Sequence, residues 1–141
     1  WLSNHDLQEI KEEASKQDER NTTALHLSCR NGPPLDIIET FLSAVPEVVH
    51  WGDAFGWLPL HYACANGADE NVVRVLVDAY PESKTAVDRR GRTPLQFALG
   101  SNDTPATVGV VVLLSSTGVA SLPDDNGMLP LHYACAYGAR E

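Results

Sequence analysis

The sequence predicts an all-α protein built as a row of stacked two-helix units, and three observations carry that prediction. Leu25, Leu60, Leu95 and Leu131 anchor near-copies of one motif at intervals of 35, 35 and 36 residues. Each copy is preceded by the same turn chemistry, an Asp followed three residues later by Asn or Gly. Each is followed by apolar residues at helical spacing, in units too small to bury their own apolar face without a stacked neighbour.

The frame reads DERNTTALHLSC, DAFGWLPLHYAC, DRRGRTPLQFAL and DDNGMLPLHYAC, opening at Asp18, Asp53, Asp88 and Asp124. Asn21, Gly56, Gly91 and Gly127 supply residues that accept positive φ, and the Asp side chain can satisfy backbone donors within the turn. Pro59, Pro94 and Pro130 suit the first turn of a helix, where a missing N–H costs nothing. The helix that follows is short: Leu60, Ala63 and Cys64 share a face, and Gly67 or Gly138 caps its end. A second helix is predicted over Glu70–Tyr80, with Val72, Val73, Leu76 and Tyr80 as its apolar stripe. Its counterparts are Leu35–Val45 and Pro105–Ser116, and Pro46 and Pro81 end the first two. Before the first frame, Leu7, Ile10 and Ala14 line one face of an N-terminal helix.

Turn, T/L-P-L-H-x-A, helix, Gly and second helix resemble the ankyrin repeat from about Asp18 onward. The resemblance implies an all-α ankyrin-repeat solenoid of helix-turn-helix units with projecting β-turn fingers. Its expected division is an N-terminal helix over 1–17, repeats over 18–52, 53–87 and 88–123, and an incomplete fourth over 124–141. The N-terminal helix is either a cap or the end of a preceding repeat. With Trp1 at one end and no second helix after the fourth motif, the expectation is a piece of a longer array. Several positions depart from the usual pattern. The units are longer than usual, with the surplus after the second helix. Leu58 and Leu129 replace Thr, Gln96 replaces His, and Asn102 stands where Gly is usual, so the third repeat is the least regular.

LPLHYACANGA and LPLHYACAYGA each hold a His and a Cys three residues apart, which raises metal binding or thiol chemistry. Zinc needs about four ligands, and stacked helices about 8–10 Å apart leave each pair alone with two. The third copy places Gln96 and Leu99 at those positions, and a slot that accepts Leu is an apolar core slot. The cysteines are expected to pack as neutral thiols. The resemblance implies that His26, His61 and His132 hydrogen-bond the turn backbone. No nucleophile elbow, phosphate loop or distinctive carboxylate pair appears, so no catalytic residue, cofactor or metal is expected.

The 141 residues suffice for one core, and 43% hydrophobic content with 21% charged residues fits a folded soluble domain. The longest apolar run, Val108–Leu114, is far short of a membrane span. A net charge of −9 disfavours nucleic acid and anionic membranes, and three cysteines fit a reducing, intracellular compartment.

By the resemblance, partner contacts fall on the finger tips and the end of each first helix. Carried over, these are Glu19, Arg20, Thr22, Arg30 and Asn31, then Ala54, Phe55, Trp57, Ala65 and Asn66. The third unit offers Arg89, Arg90, Arg92, Gly100 and Ser101, and the fourth Asp125, Asn126, Met128, Ala136 and Tyr137. These positions hold five arginines against two acids in a strongly acidic chain, together with aromatic types favoured at interfaces. The expected contact residues are Arg20, Arg30, Phe55, Trp57, Asn66, Arg89, Arg90, Arg92, Asn126, Met128 and Tyr137. The bland reading makes the arginines partners of turn aspartates and Trp57 part of the stack. The functional expectation is a non-catalytic protein-interaction scaffold taking a protein or peptide with an acidic segment and a bulky apolar side chain. It takes no small-molecule substrate. The alternatives are a regulatory or targeting segment of a larger enzyme and a structural subunit of an assembly.

Overall fold

The computed structural model describes residues 3–32, 34–100, 107–115 and 118–138, with side chains described up to residue 136. Helix α1 spans Asn4–Ser15, α2 Ala24–Arg30, α3 Leu35–Ala44 and α4 Pro59–Ala65. Then follow α5 over Glu70–Ala79, α6 over Pro94–Leu99, α7 over Val108–Leu114 and α8 over Pro130–Tyr133. There is no strand among the described residues.

The helices form two rows. One holds α2, α4, α6 and α8, each packed on the next; the other holds α3, α5 and α7, with α1 lying against α3 and α2. The core lies between the rows. Leu25, Leu60, Ala63, Cys64 and Leu95 enter it from the first row, and Ile38, Val73, Leu76, Val110 and Leu114 from the second. Burying each large aliphatic side chain contributes about 1.5–3 kcal/mol, which a lone helix pair could not collect. The predicted stripe on α5 is buried at Val72, Val73 and Leu76, but Tyr80 is only half-buried and Val77 completes the face. On α1 only Ala14 is fully buried, while Ile10 is half-buried and Leu7 is exposed.

Local chemistry starts and stops these helices. Ser3 caps α1, its hydroxyl accepting the Asp6 N–H at 3.1 Å. Thr23 and Thr93 cap α2 and α6 in the same way, and Pro59, Pro94 and Pro130 take first-turn positions. Gly67, at φ +69°, turns the chain after α4 so that the Ala68 N–H reaches the Ala63 carbonyl at 3.0 Å. The expected counterpart at Gly138 differs, since the chain after α8 widens into a π turn over Ala134–Gly138. Asn102, Pro105 and Ser116 lie outside the described residues.

The surplus residues of each unit are not plain loop. Pro46 and Pro81 end α3 and α5 and also open 3₁₀ turns over Pro46–His50 and Pro81–Thr85. A third 3₁₀ turn, Val119–Ser121, follows Gly118. Val48, Val49 and Val119 of these turns join the core. His50 stacks on Tyr80 with ring centroids 4.2 Å apart, and His5 pairs with Glu9 at 2.8 Å, so the two histidines outside the repeated motif have local partners.

Candidate functional site: an arginine-lined groove beside the fingers

Each finger is a closed turn organised by its Asp. In the second, the Gly56 N–H donates to the Asp53 carbonyl and the Asp53 N–H to the Trp57 carbonyl, at 2.9 and 3.0 Å. One carboxylate oxygen, Asp53 Oδ1, accepts the Phe55 and Trp57 amides at 2.9 and 3.0 Å. The fingers at Asp18, Asp88 and Asp124 repeat this pattern, with Asn21, Gly56, Gly91 and Gly127 all at positive φ. Successive fingers are tied by backbone bonds: Ala54 N–H to Arg20 O, Arg89 N–H to Phe55 O, and Asp125 N–H to Arg90 O, at 2.8, 3.1 and 2.8 Å. The finger residues therefore stand at fixed spacing along one edge.

The histidines tie helix to finger. His26 Nδ1 accepts the Thr23 N–H at 3.1 Å, while Nε2 faces the Trp57 carbonyl of the next finger at 3.0 Å. His61 does the same between the Leu58 N–H at 2.9 Å and the Arg92 carbonyl at 3.2 Å. These partners assign the proton to Nε2. Gln96 reproduces the arrangement with an amide: Oε1 accepts the Thr93 N–H at 2.8 Å, and Nε2 donates to Met128 O and Leu122 O at 2.8 and 3.1 Å. His132 takes the Leu129 N–H at 2.8 Å. Burial holds His26 below its ordinary pKa and pushes His61 down to about 4, so both rings are neutral at pH 7.

Burial likewise raises the thiols, Cys29 to about 12 and Cys64 further still. Cys135 departs from the expected neutral core thiol by lying exposed, because no second helix covers α8 among the described residues.

Beside the fingers, the ends of α2 and α4 form one wall of a groove of about 600 Å³. Arg30, Phe55, Trp57, Asn66, Arg89, Arg90 and Arg92 line it together with Tyr62, Ala65 and Asp88. Trp57 is its floor, with ring centroids 5.0 Å from Tyr62 and 4.8 Å from Phe97, both edge-on, and 6.4 Å from Phe55. Phe55 is half exposed at 51%. Asp88 is the one acid in the lining, and its Oδ2 accepts Trp57 Nε1 at 3.1 Å, Arg92 Nε at 3.0 Å and Arg92 Nη2 at 2.8 Å. Arg89 and Arg90 are exposed and form no ion pair among the described residues.

The family model described as ankyrin repeats, in three copies, matches residues 3–85, more than half of the chain. The chain is an ankyrin-repeat protein. Ankyrin repeats are in general protein–protein interaction modules. No curated protein matches the sequence. The match starts at the N-cap of α1, so the ankyrin pattern reaches further toward the N-terminus than the motif at Asp18 indicates. No helix among the described residues is long and apolar enough to cross a membrane.

Of the eleven residues the sequence singles out, the ankyrin stack gathers seven in the groove. Arg20 stands apart, in a shallow recess with Asp18 and Glu19. Asn126 is exposed and Met128 half-buried on the fourth finger, and the side chain of Tyr137 lies outside the described residues, as does Ser101. Thr22 is buried at 9%, so that carried-over contact position is closed. Trp57 and Arg92 satisfy both readings, since each faces the groove while bonded to Asp88. Two aromatic residues lie outside the positions the sequence singles out: Tyr62, which lines the groove, and Phe97, which backs Trp57 and Arg92. Tyr62 lies nine residues after Asp53 and donates its hydroxyl to Asp53 Oδ2, as Tyr133 does to Asp124 Oδ2 at 2.5 Å. Phe97 lies nine after Asp88 and has no hydroxyl, which leaves Asp88 Oδ2 to Trp57 and Arg92. That nine-residue pairing was the available signal.

Proposed function

We propose that this ankyrin array is a non-catalytic scaffold that takes an acidic segment of a partner protein, extended or helical, in the groove between Arg30 and Arg90. The supporting observation is the lining itself: four arginines and an aromatic floor against one aspartate, in a chain of net charge −9. A groove of opposite sign to the rest of the surface steers an anionic partner and speeds encounter. Phe55 and Trp57 supply apolar area of the kind that anchors interfaces once desolvated.

A binding role uses the histidines and thiols as architecture. Both ring nitrogens of His26 and of His61 are engaged, and Cys29 and Cys64 stay protonated. The free cysteines favour a reducing, intracellular compartment, and the overall charge favours a protein partner over nucleic acid. The division into units at 18–52, 53–87, 88–123 and 124–141 is part of the same proposal. The test is affinity purification with the intact protein beside Phe55→Ala and Arg90→Glu. Loss of one shared prey by both variants, with binding that weakens as salt rises, supports the groove. Unchanged prey and unchanged salt dependence rule this face out.

A further inference from the structure

The four groove arginines are not equivalent. Arg92 is held at every point along its length. Its amide donates to Asp88 Oδ1 at 2.9 Å, and its carbonyl accepts from His61 at 3.2 Å. Its Nε and Nη2 donate to Asp88 Oδ2. Its guanidinium carbon stands 4.5 Å over the Phe97 ring and 5.8 Å from that of Trp57. Only 23% of the side chain is exposed. Five donors sit in a fixed fork, so with the Nε edge bonded to Asp88, the remaining N–H groups of Nη1 and Nη2 are aimed without further ordering. Arg30, Arg89 and Arg90 are exposed, and ordering each on binding costs about 0.5–1.5 kcal/mol.

A held cation beside a fixed aromatic floor measures distance, whereas free cations supply only charge. We propose that Arg92 is the specificity-determining residue of the groove. It receives one carboxylate of an acidic partner peptide at a set spacing from an apolar side chain seated on Phe55 and Trp57. Arg30, Arg89 and Arg90 attract the peptide without setting its register. This rests on the groove being the partner site.

The test is selection of random linear peptides displayed on phage against the wild-type protein, Arg92→Lys and the double variant Arg89→Ala/Arg90→Ala. Lys keeps the charge but loses the fork. The wild type is expected to enrich peptides with one Asp or Glu at constant spacing from a large apolar residue. On Arg92→Lys the same residue types persist while the spacing scatters. The double variant keeps the spacing and loses surplus acids. A synthetic peptide from the wild-type pool should bind Arg92→Lys at least ten-fold more weakly. Its Glu→Gln form should bind both proteins alike. Phe97→Leu, which keeps the arginine but removes the ring that holds its guanidinium, should scatter the spacing as well. Urea midpoints near that of the wild type confirm that the variants fold. Should Arg92→Lys retain constant spacing, or the wild type show none, the assignment to Arg92 falls while the groove stands. If the wild type enriches no acidic, apolar peptides, the groove reading falls too.

Discussion

His61 Nε2 bonds the carbonyl of Arg92 at 3.2 Å, so a fully buried helix residue of one unit fixes the backbone of a groove residue in the next. The same ring takes the Leu58 amide at the start of its own helix, while the His61 amide has no hydroxyl to cap it because Leu replaces Thr. One imidazole therefore closes a helix end, docks a finger and holds the site's most constrained arginine. Stack and groove are the same hydrogen-bond network.

That network makes stability depend on pH in a defined window. His61 titrates near 4 when folded against about 6.5 when unfolded, so the unfolded chain takes up the proton first. The stability from neutral His61 is complete above about pH 6.5 and is lost as pH falls toward 4. It amounts to about 3 kcal/mol. His26 acts in the same direction. Gln96 shows that an amide can make both bonds without titrating. His61→Gln should flatten urea midpoints between pH 6.5 and 4.5 at a cost within about 1 kcal/mol at pH 7. His61→Ala, which orphans two buried backbone groups, should cost about 3 kcal/mol. An unaltered pH profile in His61→Gln would contradict the network.

The Tyr–Asp pairs predict a difference between two aromatic swaps. Burial, reinforced by Asp53, pushes the Tyr62 phenol up to about 12, so the hydroxyl stays protonated and donating. Tyr62→Phe removes the donor to Asp53 Oδ2 and should destabilise by about 1 kcal/mol. Phe97→Tyr adds a donor beside Asp88, whose Oδ2 already serves Trp57 and Arg92. The expected result is no stability gain and a shift in Trp57 fluorescence as the indole is displaced. A Phe97→Tyr protein more stable than the wild type with unmoved emission counts against this account.

The three thiols should separate cleanly by reactivity. Cys29 and Cys64 are buried and held protonated by burial, whereas Cys135 is exposed. A disulfide reagent at pH 8 should titrate one fast thiol per native chain and three after denaturation, and Cys135→Ser should abolish the fast phase. Three fast thiols in the native protein would mean that the core described here opens readily.

Residues 58–65 and 129–136 are the same eight letters, LPLHYACA, yet Leu60 is 1% exposed and Leu131 70%. Helix type and start are local, and these were legible: Pro at the first turn, Asp and Gly in the finger, Leu and Ala on one face. Burial depends on what packs from outside the segment, and α8 receives no second helix among the described residues. The 3₁₀ turns were illegible for a related reason. Pro46 and Pro81 read as stops, and PEVVH and PESKT carry no helical period that would mark a new element. In the groove, position along the repeat picked out the arginines. Which of them is held depends on Asp88 Oδ2, and hence on the missing hydroxyl of Phe97 nine residues away.

Contact between fingers can be tested at its glycines. Gly91 and Gly127 adopt nearly the same conformation, φ +75° and +79°, so a side chain at either meets the same backbone penalty of about 1 kcal/mol. Their surroundings differ. A Cβ on Gly91 would stand 2.6 Å from Asp125 Oδ1 and 3.0 Å from the Asp125 amide, beside the bond that amide makes to the Arg90 carbonyl. A Cβ on Gly127 would meet nothing within 4 Å. Gly127→Ala should therefore lower the urea midpoint by the backbone term alone. Gly91→Ala should lower it by roughly twice as much or more, because the fourth finger must move and loosen its bond to the third. Asn21 already holds φ +59° in the first finger, so Gly127→Asn should be milder than Gly127→Ala. Equal losses for Gly91→Ala and Gly127→Ala would mean that the fingers do not touch, and with them would go the fixed edge on which the groove is built.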